Sequence, residues 1–162
     1  MTGTPTTTLT SRVTALHLAP RHHAPTEPVT EIVVEAGAGV VGDRYHGSRH
    51  RHVSLQSATE LAEAARALGA PVPPGSTRRT VTVDAGRVPS EPGARVVLGD
   101  PTRPGGAVVL EVVRVAAPCA VMETSVGPGA RAALRRRAGS VLRAVTGGTV
   151  RVGDPVTGLL PD

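Results

Sequence analysis

The stretch from residue 40 to residue 55, VVGDRYHGSRHRHVSL, gathers many of the side chains that could bind a ligand or react. It contains one Asp, three Arg and three His, together with Tyr45, the only Phe, Tyr or Trp residue of the chain. Gly42 and Gly47 flank the first cluster, and glycines allow backbone conformations that bring a loop close to a ligand. This composition predicts a glycine-braced loop facing an anionic ligand.

Arg44 and His46 are the candidates for anion binding within this loop. A guanidinium group can hold a phosphate through two parallel hydrogen bonds, and Asp43 could orient Arg44 or a polar group of the ligand. The alternative is a solvated turn, in which Asp43 and Arg44 form only weak surface pairs. The spacing of His46, His50 and His52 matches no strong zinc pattern, so it does not favour a metal site.

Cys119 is the only cysteine, so an internal disulfide is excluded. Pro118 precedes it and follows a β-type run, which predicts that the sulfur lies at a strand end or in a loop, where reactive groups are common. A thiol there could carry a persulfide, attack an electrophile or bind a soft metal, whereas the alternative is a small core residue. Arg78 and Arg79 form either a second anion clamp or a charged strand end.

The composition excludes several classes of function. All 18 basic residues are Arg, so a Schiff-base lysine, and with it lysine-bound pyridoxal phosphate, is excluded, as is a Walker-type phosphate loop. The net charge of +5 suits an anionic ligand. Nucleic-acid binding is the third and least favoured hypothesis, because the Arg residues are spread along the chain and few aromatic side chains could stack on bases.

The sequence gives no sign of a membrane or secretory segment. No stretch approaches the ~20 apolar residues of a membrane span. The first ten residues, MTGTPTTTLT, have neither a basic start nor an apolar core, so they do not resemble a secretory signal. We therefore expect a cytoplasmic protein with no membrane partner.

The apolar patterning predicts many short strands and two short helices. Ser57 and Glu60 form a capping box, and the helix that follows is expected to end at Gly69. A second helix is expected from Gly127 to about Arg137. The pair Gly147-Gly148 is a hairpin signal. The predicted strands cover residues 12–19, 29–36, 52–56, 78–84, 94–100, 107–115 and three short segments after residue 139.

These elements predict a single domain of the mainly β (α+β) class. Strands do not alternate with long helices, which argues against a doubly wound parallel sheet and favours a mixed or antiparallel barrel-like domain. We assign residues 12–160 to this domain and residues 1–11 to a flexible tail. The loop containing His22 and His23 is rich in proline, and we expect both side chains to be solvated.

Seven segments, taken in their order and spacing, resemble a MOSC domain. This module occurs at the C-terminus of eukaryotic molybdenum cofactor sulfurases and as stand-alone bacterial proteins. The resemblance covers about residues 12 to 158. The segments are GVVGDRYHG, HVSLQSATELAE, RRTVTVDAG, GARVVLGD, VLEVVRVAAPCAVME, GPGARAALRRRAGSVLRAV and GGTVRVGDPV.

The resemblance implies a β-barrel and a bound molybdenum cofactor (molybdopterin), a pterin that carries a phosphate. Cys119 matches the family's cysteine, which is proposed to carry sulfur or to bind molybdenum, so the resemblance makes it the catalytic candidate. A sulfur-donor or electron-transfer protein would be the partner. The positions that match the family's "GDR" and "RRN" segments, and that the resemblance assigns to cofactor binding, are Asp43, Arg44, His46, Arg78, Arg79 and Thr80.

Two positions depart from the family pattern. Thr80 stands where Asn is usual, so an amide that can both donate and accept hydrogen bonds is lost. Ala116 stands where many bacterial relatives have a second cysteine. The leading hypothesis is sulfur transfer or a small molybdoenzyme that reduces N-hydroxylated compounds. The alternative is a non-catalytic phosphate- or pterin-binding module in which Cys119 is merely packed.

Overall fold

The computed structural model describes residues 10–162, and within them it contains eleven strands, three α-helices and one 3-10 turn at Pro74–Thr77. The helices are α1 (Ala58–Leu68), α2 (Val121–Ser125) and α3 (Ala130–Ala133). The strands are β1 (Ser11–Leu18), β2 (Glu27–Val29), β3 (Glu31–Glu35), β4 (Gly39–Val40), β5 (Val53–Ser57), β6 (Val81–Val83), β7 (Arg95–Leu98), β8 (Val108–Val115), β9 (Ser140–Ala144), β10 (Gly148–Arg151) and β11 (Pro155–Thr157).

Seven of these strands close a barrel in the order β11-β7-β8-β9-β5-β6-β1, and β1 pairs back onto β11. All neighbours in the barrel are antiparallel except β5 and β6, which are parallel. β2 extends the sheet beyond β1, and β10, β3 and β4 form a separate three-stranded sheet. The prediction of a mainly β, barrel-like domain with mixed strands is confirmed.

The barrel interior is filled almost entirely by aliphatic side chains. Val and Leu supply most of it, as expected for a chain without Phe or Trp. In β1, Val13 and Leu16 are buried, and in β3 of the smaller sheet, Ile32 and Val34 pack into the same apolar core while Glu31 is exposed. Each fully buried side chain of this kind contributes roughly 1.5–3 kcal/mol. A register slip of one residue would turn these side chains outward, so their burial fixes the pairing.

Helix α1 has the ends that its sequence predicts. The Ser57 hydroxyl accepts a hydrogen bond from the Glu60 backbone N–H at 3.2 Å, and Gly69 ends the helix in the left-handed conformation at φ 73°. Leu61 and Ala64 pack with Leu134 in a second apolar cluster that joins α1 to α3 and also includes Met122. This cluster supports the segment between β8 and β9, which contains Cys119.

The second predicted helix is replaced by two shorter ones. The expected helix from Gly127 to Arg137 is only α3 in the structure, and α2 precedes it where no helix was expected. Gly127 and Gly129 adopt φ of 141° and 86°, which interrupts helical geometry between α2 and α3. Gly147-Gly148 does not connect a hairpin, because β10 pairs with β3 rather than with β9.

The first strand begins near the start of the residues assigned to the domain. β1 begins at Ser11, the last residue of the segment predicted to be a flexible tail, and residues 1–9 of that segment lie outside the described residues. β2 occupies the end of the proline-rich loop, and β3 is shorter than the strand predicted over residues 29–36. Within residues 10–162, none of the helices has the length and apolar character needed to cross a bilayer.

Candidate functional site

Cys119 lies in the loop between β8 and α2 and is exposed to solvent. It lines a partly open recess that also contains Arg44, Arg78 and Arg79, and we call this the sulfur recess. The structure therefore brings together four of the residues singled out in the sequence. The exposure of Cys119 also rules out the alternative of a packed core cysteine. The other lining residues are Ala19, His22, His23, Tyr45, Arg51, Thr77, Val121 and Met122.

The loop that carries Cys119 is fixed at both ends. Strand β8 ends at Val115, and the N–H of Ala116 donates to the carbonyl of Gly139 at 2.9 Å. The Cys119 carbonyl accepts a hydrogen bond from the N–H of Met122 at 3.0 Å, which begins α2. The Met122 side chain is buried and holds this turn against α3. The sulfur is therefore presented to solvent from an ordered turn, as expected from the proline before it.

Arg79 is the most buried charged residue of the sulfur recess, with 4% of its surface exposed. Its Nε donates to the Ala138 carbonyl at 2.9 Å, and within residues 10–162 no carboxylate lies at ion-pair distance. Burial and the nearby Arg51 lower the pKa of Arg79 to about 10, while the charges of Cys119 and Tyr45 act in the opposite direction. Arg79 therefore stays charged at neutral pH, and a buried cation without a counter-charge favours binding of an anion.

Arg78 also lines the sulfur recess, and its backbone adopts a left-handed conformation. Its φ is 62°, in the left-handed region that non-glycine residues rarely occupy. Its Nη1 donates to the Ala24 carbonyl at 2.5 Å, and in the described part of the chain Nη2 is buried without a hydrogen-bond partner. The left-handed conformation ends the 3-10 turn Pro74–Thr77, and Nη2 remains a donor that a ligand or a water molecule could accept from.

Arg44 and Arg51 enclose the ring of Tyr45. Their guanidinium carbons lie 4.4 Å and 4.1 Å from the ring centre, so both make cation–π contacts. Arg44 also donates to the Tyr45 hydroxyl and contacts His22, and its Nε is buried with no partner among the residues described. The pKa of His22 lies below its usual value because of desolvation and the positive charge of His23 and Arg44. The ring orders two guanidinium groups at the recess.

Three residues that the resemblance assigned to the cofactor lie outside the sulfur recess. Asp43 accepts hydrogen bonds from the N–H groups of Ala19 and Tyr45, at 2.9 and 3.2 Å, and so shapes the loop. The exposed His46 pairs with Glu35 at 3.2 Å. Thr80 is buried, and its N–H and hydroxyl are bonded to Ser54. These contacts lend no support to a direct role in ligand binding for any of the three.

The sequence reasoning did not assign several residues that complete the recess. Arg51 and Tyr45 belong to the Arg- and His-rich stretch but were not named as site residues. His22 and His23 are exposed, as expected, yet both line the recess. Met122 has an apolar side chain, and such a residue does not stand out in the sequence as a binding candidate. The crowding of basic side chains into residues 40–55 was the available signal for Arg51, whereas only the three-dimensional fold brings in His22 and His23.

The sulfur recess offers one thiol as a soft metal ligand, and most of its other polar side chains are positively charged guanidinium groups or histidines. Among residues 10–162, no group of three or more His, Cys, Asp and Glu side chains could hold a metal ion. His52 is buried, and its two ring nitrogens bond to the Ser48 carbonyl and the Ala144 N–H, at 2.7 and 2.9 Å. A metal at Cys119 would therefore need most of its ligands from a bound organic group.

Two further recesses share walls with the sulfur recess. One, of about 450 Å³, includes His23, Arg78 and Val121 and adds His17, whose buried Nδ1 has no partner in the described chain. The other, of about 210 Å³, includes Arg51 and Arg79. Both therefore offer additional space beside the sulfur recess, and the larger one is on the scale of small-molecule pockets.

Comparison with protein families identifies the class of domain. The family model described as "MOSC domain" matches residues 42–157, which is more than half of the chain. The chain belongs to the MOSC domain family, which is associated with molybdenum-cofactor-related proteins. The resemblance noted in the sequence is thereby confirmed. No curated protein matches the chain significantly.

Solved structures share the fold at low sequence identity. The YuaD protein from Bacillus subtilis gives a TM-score of 0.76 at 19% identity and covers 92% of this chain and 95% of its own. YiiM from Geobacillus stearothermophilus gives 0.68 at 12% identity, with 91% and 74% covered. YiiM from Escherichia coli gives 0.63 at 12% identity, with 93% and 70% covered. At these identities the likeness establishes the fold.

Proposed function

We propose that this protein binds the molybdenum cofactor in the sulfur recess, with Cys119 as its sulfur centre. The observation that carries the proposal is the meeting of an exposed thiol with a buried, unpaired guanidinium, that of Arg79, in one recess. Within the described residues, Arg44, Arg78 and Arg79 form no ion pair with a carboxylate. The phosphate of a pterin cofactor would supply the missing counter-charge. The cofactor's own sulfur ligands would complete a metal site that the protein side chains cannot form.

The arginines have separable tasks in this proposal. Arg79 provides a fixed charge from the interior, and Arg78 offers its free Nη2. Arg44, held against Tyr45, has a free buried Nε. Planar guanidinium groups at fixed positions bind phosphate through directed hydrogen bonds, which favours retention of a phosphorylated cofactor over simple charge attraction.

Cys119 acts in one of two ways, as a carrier of sulfur or as a ligand of molybdenum. In the carrier role, the thiolate attacks the outer sulfur of a donor's persulfide. A new S–S bond forms at Cys119, the donor's S–S bond breaks, and the donor leaves as a thiolate. The exposed position of Cys119 allows a donor protein to reach it. In the ligand role, the same thiolate binds the metal, and the cofactor supplies the redox chemistry of a small molybdoenzyme.

The experiment is expression in a molybdenum-replete host, followed by elemental analysis and mass spectrometry of the purified protein. We expect molybdenum and a pterin in near-equal amounts. Arg44→Ala should retain less cofactor, while Arg66→Ala, which removes an exposed charge on α1 far from the recess, should retain as much as the wild type. Wild-type protein without pterin, or equal retention in both variants, would contradict the proposal.

A further inference from the structure

Another recess adjoins the loop that carries Cys119, and none of its lining residues belongs to the sulfur recess. It shares Val115, Ala116 and Ala117 with the recess of about 210 Å³ that adjoins the sulfur recess. The larger of these two recesses has a volume of about 650 Å³, within the range of small-molecule pockets. Its apolar wall is formed by the end of β8 and the loop that follows, with Ala132 of α3 opposite. Val115, Ala117 and Ala132 are all exposed, so the wall is accessible.

The rim of this recess is formed by Arg131, Arg135 and Arg136. None of the three forms an ion pair within the part of the chain that the structure describes. Glu123 is the one acidic residue that lines it, and its carboxylate already accepts the backbone N–H groups of Gly129 and Arg131, at 2.8 and 3.0 Å. Among the described residues that line the recess, three guanidinium groups therefore face one carboxylate, which leaves an excess of positive charge.

The turn after α3 directs the side chains of Arg135, Arg136 and Arg137 to different surroundings. Arg137 turns toward α1, pairs with Glu63 at 3.6 Å and donates to the Ala133 carbonyl at 3.0 Å. Arg136 has φ 62°, a conformation unfavourable for a residue with a side chain, and together with Arg135 it lines the recess. Arg136 lies in the turn that follows α3, and conformations of this kind are enriched at functional sites.

We propose that this recess binds a planar aromatic anion, such as an aromatic carboxylate or sulfonate. Its rings would lie on the apolar wall, and its anionic group would contact Arg135 and Arg136. Guanidinium groups combine both recognition modes, because they pair with anions and stack on aromatic faces. A second copy of this protein is disfavoured as the occupant, because a chain with net charge +5 would be repelled by an arginine rim. The inference does not depend on Cys119 or on the cofactor.

The test uses two fluorescent probes that differ mainly in one charge, anilinonaphthalene sulfonate and neutral N-phenylnaphthylamine. Titrations in the Cys119→Ser background exclude reaction with the thiol. We expect one site that binds the sulfonate about fivefold or more tighter than the neutral probe at low salt, with the preference falling as salt rises. Arg135→Ala/Arg136→Ala should lose the preference, whereas Arg21→Ala/Arg66→Ala, which removes the same charge elsewhere, should keep it.

A second measurement locates the bound sulfonate on the protein. Amide NMR shifts on adding the sulfonate should concentrate in residues 115–117 and 131–136. The inference is overturned by shifts centred on the sulfur recess, by equal binding of both probes, or by a double-arginine variant that folds and binds like the wild type. Probe binding does not depend on molybdenum content. A negative result with the probes would therefore leave the proposed function intact, and a protein without cofactor would leave this inference intact.

Discussion

At the scale of single residues, the site depends on Arg79 more than on any other charged group. Its guanidinium is buried, lacks a carboxylate partner and faces the same recess as Cys119. Burial of such a charge lowers stability unless something compensates for it. The sequence pointed to Arg44, Arg78, Arg79 and Cys119 through the chemistry of guanidinium and thiol groups and through the resemblance to the MOSC family, and the structure places all four in one recess. The sequence could not show that Asp43, His46 and Thr80 form hydrogen bonds or ion pairs with neighbouring protein groups.

Arg79→Gln separates ligand binding from stability. The amide can still donate to a carbonyl, while the buried charge is removed, so the ligand-free variant should be as stable as the wild type or more stable. Retention of phosphorylated cofactor should fall by about tenfold or more, since a charge-assisted hydrogen bond is lost. Urea denaturation and pterin content measure the two effects. A variant that loses stability but retains cofactor would assign Arg79 to the fold alone.

Cys119→Ser tests the sulfur centre directly. The hydroxyl is close in size to the thiol and the side chain is exposed, so the free energy of unfolding should change by less than about 0.5 kcal/mol. Sulfur or molybdenum loading should be abolished, because an alcohol is neither a persulfide carrier nor a soft ligand. Elemental analysis and intact-mass spectrometry measure loading. Unchanged loading would refute both roles of Cys119.

At the scale of elements, glycines decide where the chain turns around the site. Gly139 leads from α3 into β9 with φ 79°, and a Cβ there would lie 1.7 Å from the carbonyl oxygen of Leu55. Its own carbonyl accepts the Ala116 N–H, so it also holds the Cys119 loop. Sequence patterning predicted α1 from its capping box, but it missed α2 and made α3 too long, because Gly127 followed by Pro128 is typical of a helix start.

Gly139→Ala should therefore destabilise the protein strongly. The added methyl group cannot fit without separating β5 from β9, and we expect a loss of more than about 3 kcal/mol, or no folded protein. Gly93→Ala is the matched control, with φ 90° but nothing within 4 Å of the added Cβ. It should cost only about 1 kcal/mol, from backbone strain. Equal effects of the two substitutions, measured by thermal unfolding, would show that the close contact at Gly139 is unimportant.

At the scale of the whole molecule, closure of the barrel joins the two ends of the described chain. β1 pairs with β11 and with β6, and neither partner is adjacent to it in sequence. Local patterning predicted most of the strands because alternating burial is written in the sequence. It could not predict that β10 leaves the barrel to pair with β3, since that choice depends on packing between distant segments.

Asp84 follows β6, and its carboxylate links the end of that strand to the start of β1. We expect the stability that this link provides to depend on pH. The carboxylate accepts the Ser11 hydroxyl and the Arg12 N–H, and these hydrogen bonds lower the pKa of Asp84. A lowered folded-state pKa stabilises the protein fully above the unfolded-state value of about 4, and this contribution is lost as pH falls below it.

Asp84→Asn should lower the free energy of unfolding at pH 7 by about 1 kcal/mol or less, because the group is exposed and the amide oxygen remains an acceptor. The difference from the wild type should shrink as pH falls below about 4 and through the lowered folded-state pKa of Asp84. Urea denaturation at several pH values measures it, and Ser11→Ala should show the same pH trend. A difference that persists unchanged at low pH would contradict this account.

The central claim is that Cys119 and the arginines form one ligand site. The most direct measurement is the rate at which iodoacetamide alkylates Cys119 in cofactor-loaded protein and in the same protein after the cofactor is removed. Bound cofactor should slow alkylation severalfold, and removal should restore the faster rate. Arg79→Gln, prepared in parallel, should react at the faster rate throughout. Equal rates with and without bound cofactor would mean that the sulfur and the cofactor occupy different places.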